Sequence, residues 1–347
     1  MSDLSRRAIQ AVDPAGMLDD VLAQHAQLDD ALWRVDSAGI ERRDLAGGLV
    51  VAGMGGSAVG GDLAAAAIGD RAERPLRTVR AYVLDRYVGQ DTLLLCASYS
   101  GDTEETLACY AAAGAAGSPR VVVTTGGALA EQARADGVPV IGVPSGMQPR
   151  AAVAYMTVAA LECAALSGAA PSLRDEVQAA SRLLRALADE WGPDASADSR
   201  AKAIAVALHR AIPIVYGAAG TAAAARRWKT QINENASMHA FASELPEADH
   251  NEVCGYDDDA QPADLAAVFL DDPAMDPRLR RRIDVTAELV APSVSTLERV
   301  EAPGDTPTER VLSLVLLGDL VSVYLAALSG IDPTPVEAIE RLKRKLA

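Results

Sequence analysis

Aromatic residues are scarce: 4% of the 347 residues, with two phenylalanines and three tryptophans. A core of this size must then be filled by Ala, Val and Leu, close-packed between helices and strands. Cysteine is scarce as well. Cys96, Cys109, Cys163 and Cys254 show no C-x-x-C spacing, which argues against a disulfide framework or a zinc site and for reduced, mostly buried thiols. Positive charge is in deficit, with 32 Lys and Arg against 48 Asp and Glu and a net charge of −16. Phosphate backbones are gripped by clustered Lys and Arg, so nucleic acid is not an expected partner. A basic run such as 278-RLRRR-282 reads as the solvated face of a helix. The first residues, MSDLSRRAIQAVDPAGM, lack the apolar core of a signal peptide. The longest apolar stretch, 311-VLSLVLLGDLVSVYLAALSG-330, carries Asp319 at its centre, where a membrane span would meet a high insertion cost. It is expected to be a buried core helix, and the protein to be soluble, cytoplasmic and without a membrane partner.

What is present is an alternation. Residues 14–36 have apolar side chains at helical spacing, among them Met17, Leu18, Val21 and Leu28. Apolar, β-branched runs follow at 48-GLVVAGM-54, 79-VRAYVL-84, 92-TLLLCASY-99, 121-VVVTT-125 and 139-PVIGVP-144. Ala-rich helical patterns separate them, such as 103-TEETLACYAAAGAAG-117 and 128-ALAEQARADG-137. This order predicts an α/β fold with a parallel sheet flanked by helices on both faces. Residues 150–190 read as long helices and 191-WGPDASADSRA-201 as a linker. Strands are expected again at 212–217, 265–270 and 294–300, with helices at 277–290 and 308–329 and a last one from Pro335. The segment 48-GLVVAGMGGSA-58 aligns with 212-IPIVYGAAGTA-222. The chain therefore reads as a helical segment over 1–45, an α/β lobe over 46–190, a linker over 191–201 and a related lobe over 202–347.

Three strand-to-helix turns are rich in small polar residues. The first, 53-GMGGSAVGGD-62, has no Lys after its glycines and no G-x-G-x-x-G, so it is neither a P-loop nor a dinucleotide fingerprint. It suits either a phosphate at a helix N-terminus or close helix–strand packing. The second, 98-SYSGDTEET-106, puts Ser98, Ser100 and Thr103 in one turn. These hydroxyls suit a phosphate, although D-T-E-E also resembles a capping box and Glu104 and Glu105 oppose an anion unless they point away. In a parallel sheet both turns lie at the carboxyl edge and can converge on one ligand. The third, 147-MQPRAA-152, places Arg150 at the same edge, either on the surface or facing an oxyanion.

The stretch 232-INENASMHAFASELPEADHNEV-253 gathers titratable groups. A carboxylate such as Glu234 and a second group such as His250 are what aldose–ketose isomerisation requires, the first to move a proton between C1 and C2, the second to open the sugar ring. His239, beside Met238 and Phe241, reads as packing, and His25 and His209 as ordinary helix residues. Lys343, in the last helix, either faces outward or reaches inward.

GMGGSAVGGD, SYSGDTEET, QPRAA, RWKTQINENA and PEADHNEV, in this order, resemble the bifunctional phosphoglucose/phosphomannose isomerases. These are proteins of two sugar isomerase (SIS) lobes, each a three-layer αβα sandwich about a parallel sheet. The resemblance runs from about residue 15 to the end. It implies that Gly56, Ser57, Ser98, Ser100 and Thr103 hold a sugar 6-phosphate. Glu234 would shuttle the proton through a cis-enediol, with Arg150 stabilising the enediolate. His250 would assist ring opening from the second subunit of a homodimer, and Lys343 would lie near the ring oxygen or a hydroxyl. No metal or other cofactor is implied. The chain departs from the family at Asp102, where Asn is usual, in the Ala-rich 218-AAGTAAAARR-227 before the catalytic Glu, and at Val336, where a Thr is linked to mannose-phosphate tolerance, Thr334 being close by. The implied activity is interconversion of glucose 6-phosphate, and of mannose 6-phosphate if both epimers are accepted, with fructose 6-phosphate. The alternatives are a SIS-type sensor that binds sugar phosphate without turnover, and an isomerase of another sugar phosphate.

Overall fold

The computed structural model describes residues 3–257 and 264–346, without the side chains of Lys343 and Leu346. The chain packs as two compact units that do not follow its order. One comprises Ala23–Arg185 and Gly304–Leu312; the other comprises Met1–Leu22, Ala186–Pro303 and Ser313–Ala347.

The first unit is built on five parallel strands: β1 (Leu49–Gly53), β2 (Leu76–Val79), β3 (Leu93–Ala97), β4 (Arg120–Thr124) and β5 (Val140–Gly142). Their spatial order is β2-β1-β3-β4-β5. Every residue of β1 and β3 is buried, which explains their unbroken apolar runs: a parallel strand covered on both faces has no polar side. The strand expected at 79–84 lies earlier, at Leu76–Val79. Tyr82 and Val83 are exposed in the loop after it, so that run is apolar without being core. Val153–Leu166 is Ala-rich and buried along most of its length, so two helices can approach closely without aromatic filling.

The second unit has four parallel strands: β6 (Ile212–Ala218), β7 (Phe241–Leu245), β8 (Leu265–Asp271) and β9 (Thr296–Glu301), in the order β7-β6-β8-β9. The first strand of each sheet lies inside it, with the second strand on one flank and the third on the other. The aligned segments thus occupy equivalent places. Several of the few aromatics lie here. Tyr216 stacks on Phe269 with ring centroids 4.7 Å apart, and Trp228 is buried, donating from Nε1 to the Leu314 carbonyl at 2.7 Å. β7 was not among the expected strands. Its residues FASEL alternate poorly and Phe241 is exposed, as befits a strand at a sheet edge.

The helical pattern at 14–36 is two helices, Met17–Leu22 and Gln24–Ser37. The Gly-Pro-Asp-Ser segment after Trp191 forms neither helix nor strand, and the buried Lys202 ammonium donates to the carbonyls of Pro193 and Ala195 at 2.8 and 2.7 Å. Cys96, Cys109 and Cys163 are buried and Cys254 is exposed. The helix Pro307–Ser329 is long and apolar enough to cross a membrane, yet 89% of its most apolar window is buried in the fold.

Asp319, the charge in that helix, pairs with Arg227 at 2.7 Å, each side chain 1% exposed. Removing one member of such a pair strands a buried charge, whereas removing both does not. Asp319→Leu is expected to cost about 3–5 kcal/mol of unfolding free energy in urea melts, and adding Arg227→Met to recover most of it. A single variant as stable as the parent would contradict this assignment.

Candidate functional site

The first unit brings its polar turns together at the carboxyl edge of the sheet. β1 pairs with β3 so that Gly53 faces Ala97, which sets the turns that follow side by side. The helix Gly55–Ile68 starts directly after β1, and its N-cap residue Met54 makes no side-chain capping bond. Ser57, in its first turn, is buried, and its Oγ accepts from the Tyr99 N–H at 3.1 Å. Ser98 is buried too. Its Oγ accepts from the Gly101 N–H at 3.0 Å and shares a hydrogen bond of 2.8 Å with Thr103 Oγ1. Gly101 makes the turn possible: its φ is +79°, and a Cβ there would lie 1.9 Å from the Gly126 carbonyl oxygen. The exposed Ser100 accepts at Oγ from the Asp102 N–H at 3.2 Å.

Thr103 is the N-cap of the helix Glu104–Ala115, but its side chain makes no capping bond. The hydroxyl is turned to Ser98 instead, so the capping-box reading of D-T-E-E does not hold. Glu104 and Glu105 lie beside Tyr82, where Glu105 foremost pushes the phenol above its ordinary pKa. Asp102 accepts at Oδ1 from the Ala128 N–H at 2.9 Å. That places its charge at the N-terminus of the helix Gly127–Ala135, where a carboxylate is stabilised by the helix dipole. An Asn at this position offers the same acceptor.

Arg150 is reached by a different route. The chain leaves β5 at the far side of the sheet and returns as a 3₁₀ turn, Pro149–Ala152, against the start of the helix Gly55–Ile68. A Cβ on Gly56 would lie 2.9 Å from Arg150 Cα, so glycine is what lets that turn approach. The Arg150 side chain is 2% exposed, and its Nη1 donates to Gln148 Oε1 at 3.5 Å. Two helix starts without side-chain caps, four hydroxyls and a buried guanidinium thus meet at one edge. Backbone N–H groups and hydroxyls of this kind suit an anion.

Glu234 and His250 both belong to the second unit, and the fold separates them. Glu234 is half-buried in the last turn of the helix Gly220–Asn235. Its neighbours anchor that turn: Asn233 Nδ2 donates to the Met238 carbonyl at 2.8 Å, and the buried Asn235 Nδ2 to Ser322 Oγ at 2.9 Å. This helix leaves the carboxyl end of β6 and ends near the start of β7. His250 ends the 3₁₀ turn Glu247–His250, which follows β7. Five strand residues lie between, about 15 Å of rise, so one chain holds these groups at opposite edges of its sheet.

The turn that carries His250 is tightly braced. Asp249 accepts from Arg282 Nη1 at 2.9 Å and from the Thr286 hydroxyl at 2.7 Å. Glu252 accepts from the Tyr216 hydroxyl at 2.6 Å and from the Ser243 hydroxyl. His250 is exposed, and its side chain makes no hydrogen bond among the described residues. His239 is exposed as well, which corrects its reading as a packing residue. It lies in the irregular stretch before β7, where Ala240 takes the buried position. His25 and His209 are half-buried. Lys343 falls within the span of the last helix, but its side chain lies outside the described residues. Among the described residues no cluster of three or more His, Cys, Asp and Glu is placed to hold a metal ion. Sequence reasoning passed over Tyr99, Asp249 and Glu252, although each stands within a quoted motif.

The aligned segments show what became of the same edge in the second unit. Thr221 stands where Ser57 does, and its buried hydroxyl donates to the Leu270 carbonyl at 3.0 Å. Ala52 pairs with Cys96, and Tyr216, its counterpart, with Phe269. Two residues on, Ser98 therefore corresponds to Asp271. The Asp271 carboxylate is buried and held by Arg280 at 2.9 Å and Arg299 at 2.8 Å. Where the first unit has a hydroxyl, the second thus has a carboxylate paired with two arginines.

Two parallel sheets of one strand order, with hydroxyl-bearing turns at the carboxyl edge, define a SIS-type αβα protein. Residues 197–346 match the family described as bacterial phospho-glucose isomerase C-terminal SIS domain. A bifunctional phosphoglucose/phosphomannose isomerase of Caldicellulosiruptor bescii is 38% identical over 302 residues, which is 86% of this chain and 89% of that protein. One from Aquifex aeolicus is 34% identical over 300 residues, 86% and 90% of the two chains. A solved glucose-6-phosphate isomerase like protein from Thermus thermophilus superimposes with a TM-score of 0.65 at 19% identity, covering 99% of both chains. The chain belongs to the bifunctional phosphoglucose/phosphomannose isomerase family.

Burial pushes the Asp271 carboxyl up, but the hydrogen bonds and charges of Arg280 and Arg299 outweigh it and hold it below the ordinary 3.8. A depressed carboxylate stabilises the fold fully above its unfolded value, and that contribution is lost as pH falls through the folded value. Asp271→Asn should therefore lower stability in urea melts at pH 7, with the deficit shrinking as the pH falls below the ordinary carboxylate value of 3.8. A deficit as large in acid as at pH 7 would contradict the ionic assignment.

Proposed function

We propose that the protein interconverts an aldose 6-phosphate with its ketose 6-phosphate: glucose 6-phosphate, and mannose 6-phosphate if both epimers are accepted, with fructose 6-phosphate. The observation that carries this reading is the meeting of Ser57, Ser98, Ser100 and Thr103 with buried Arg150 at one sheet edge, in a chain of this family. Gly56 and the four hydroxyl residues hold the 6-phosphate. The Glu234 carboxylate removes the C2 proton while the C1 carbonyl oxygen gains one, giving a cis-enediol. The same carboxyl then delivers its proton to C1, and the C2 hydroxyl gives up its own to become the ketose carbonyl. Arg150 stabilises the negative charge that develops on the enediol oxygens. Because C2 is planar in the enediol, glucose and mannose phosphates share the intermediate. No step calls for a metal or another cofactor. Lys343 lies near the ring oxygen or a hydroxyl.

His250 opens the sugar ring, and it comes from the second subunit of a homodimer. This is supported by the strand that separates it from Glu234, by its exposure and by the braced turn behind it. The lobes as units of descent run over 46–190 and 202–347, which need not coincide with packing units. The protein acts in the cytoplasm, without nucleic acid or membrane. Val336, half-buried before the last helix, makes mannose 6-phosphate the substrate that decides dual specificity.

Incubating the protein with glucose 6-phosphate or mannose 6-phosphate in deuterated water, with and without EDTA, should yield fructose 6-phosphate and deuterium at the transferred position in both conditions. Glu234→Gln should abolish exchange while keeping ligand binding. Binding without exchange in the wild-type protein would make it a sensor, and turnover by Glu234→Gln would remove that residue as the base.

A further inference from the structure

Tyr99 touches each of the turns that surround the hydroxyl cluster. It lies between Ser98 and Ser100 and is 9% exposed. Its N–H donates to Ser57 Oγ, in the turn after β1. Its carbonyl accepts from the Thr125 N–H at 2.9 Å and the Thr125 hydroxyl at 2.8 Å, after β4. Its phenol donates to the Pro144 carbonyl at 3.0 Å and accepts from the Met147 N–H at 3.0 Å, after β5. The backbone contacts need no particular side chain. The phenol contacts do, and they fall on the loop that leads to Arg150.

Among the described residues the same loop also takes a hydrogen bond from Gln27 Nε2 at Met147 Sδ, 3.7 Å away. Residues 144–148 form neither helix nor strand, and Ser145 and Gly146 are exposed. It must nevertheless deliver a guanidinium to a fixed place, because a charge that stabilises a transition state works only if it is preorganised. We propose that Tyr99 is a positioning residue for Arg150, its phenol clamping the 144–147 loop so that the turn carrying Arg150 stays packed against Gly56. The inference rests on the reading of Arg150 given above. It adds that the phosphate turn and the oxyanion group are coupled through one residue, whose backbone N–H holds Ser57 and whose phenol holds the loop.

Tyr99→Phe keeps the ring and the N–H to Ser57 and deletes only the clamp. Two measurements test it: amide hydrogen exchange at Met147, and steady-state kinetics on the preferred sugar 6-phosphate in the wild-type and Arg150→Ala backgrounds. Met147 should exchange at least about tenfold faster in Tyr99→Phe, since its hydrogen-bond acceptor is gone. In the wild-type background kcat should fall about tenfold, with KM within about twofold, because phosphate binding is untouched while the guanidinium is misplaced. In the Arg150→Ala background the same substitution should change kcat by less than about twofold, as residues acting through one another are non-additive. Equal losses in both backgrounds, or unchanged Met147 exchange, would overturn the role of Tyr99. A wild-type protein without turnover would remove the proposed function and this role together, so the two failures are told apart.

Discussion

Parallel pairing of β1 with β3 sets Gly53 beside Ala97, and with it the turn after one strand beside the turn after the other. The hydrogen bond from the Tyr99 N–H to Ser57 Oγ joins those turns, and the glycine at 56 admits the 3₁₀ turn of Arg150 against them. A chain with net charge −16 thereby gathers four hydroxyls, two helix starts and the buried Arg150 at one sheet edge. Asp102, a negative residue in the middle of this edge, turns its carboxylate to the next helix start.

The same geometry keeps other groups apart. A strand begins at one edge of its sheet and ends at the other, so the residues that precede β7 and those that follow it leave the sheet at opposite edges. Glu234 and His250 are such residues. The second unit carries different chemistry at the equivalent edge. Where the first has Ser98, the second has Asp271, whose carboxylate takes up two arginines. Two halves of one strand order thus differ at the equivalent position, a hydroxyl in one and a paired carboxylate in the other.

Much of the fold was legible because burial writes itself into composition. β1, β3, β4, β6 and β8 are apolar runs buried on both faces, and they lie within a residue or two of where the runs stand. β7 was illegible for the opposite reason: at a sheet edge, FASEL needs no apolar pattern. The run at 79–84 misled because Tyr82 and Val83 are apolar and exposed. Of the candidate site, Ser57, Ser98, Ser100, Thr103 and Arg150 were found from strand-to-helix turns and from the family resemblance, and the fold brings them together. His239 was misread, since apolar neighbours in sequence do not bury a residue in an irregular segment. Tyr99 was passed over because its partners are more than 25 residues away, a distance at which sequence patterns are silent.

The proposed chemistry requires one carboxylate and one imidazole from different chains to complete a single site. Glu234→Gln and His250→Ala variants, each inactive alone, can be unfolded together, refolded as an equimolar mixture and assayed on the preferred sugar phosphate. Random pairing of subunits makes half of the dimers mixed, and each mixed dimer holds one intact site of two. The mixture should therefore recover about a quarter of wild-type activity. A mixture as inactive as its components, with mixed dimers shown to have formed, would contradict a site shared between subunits.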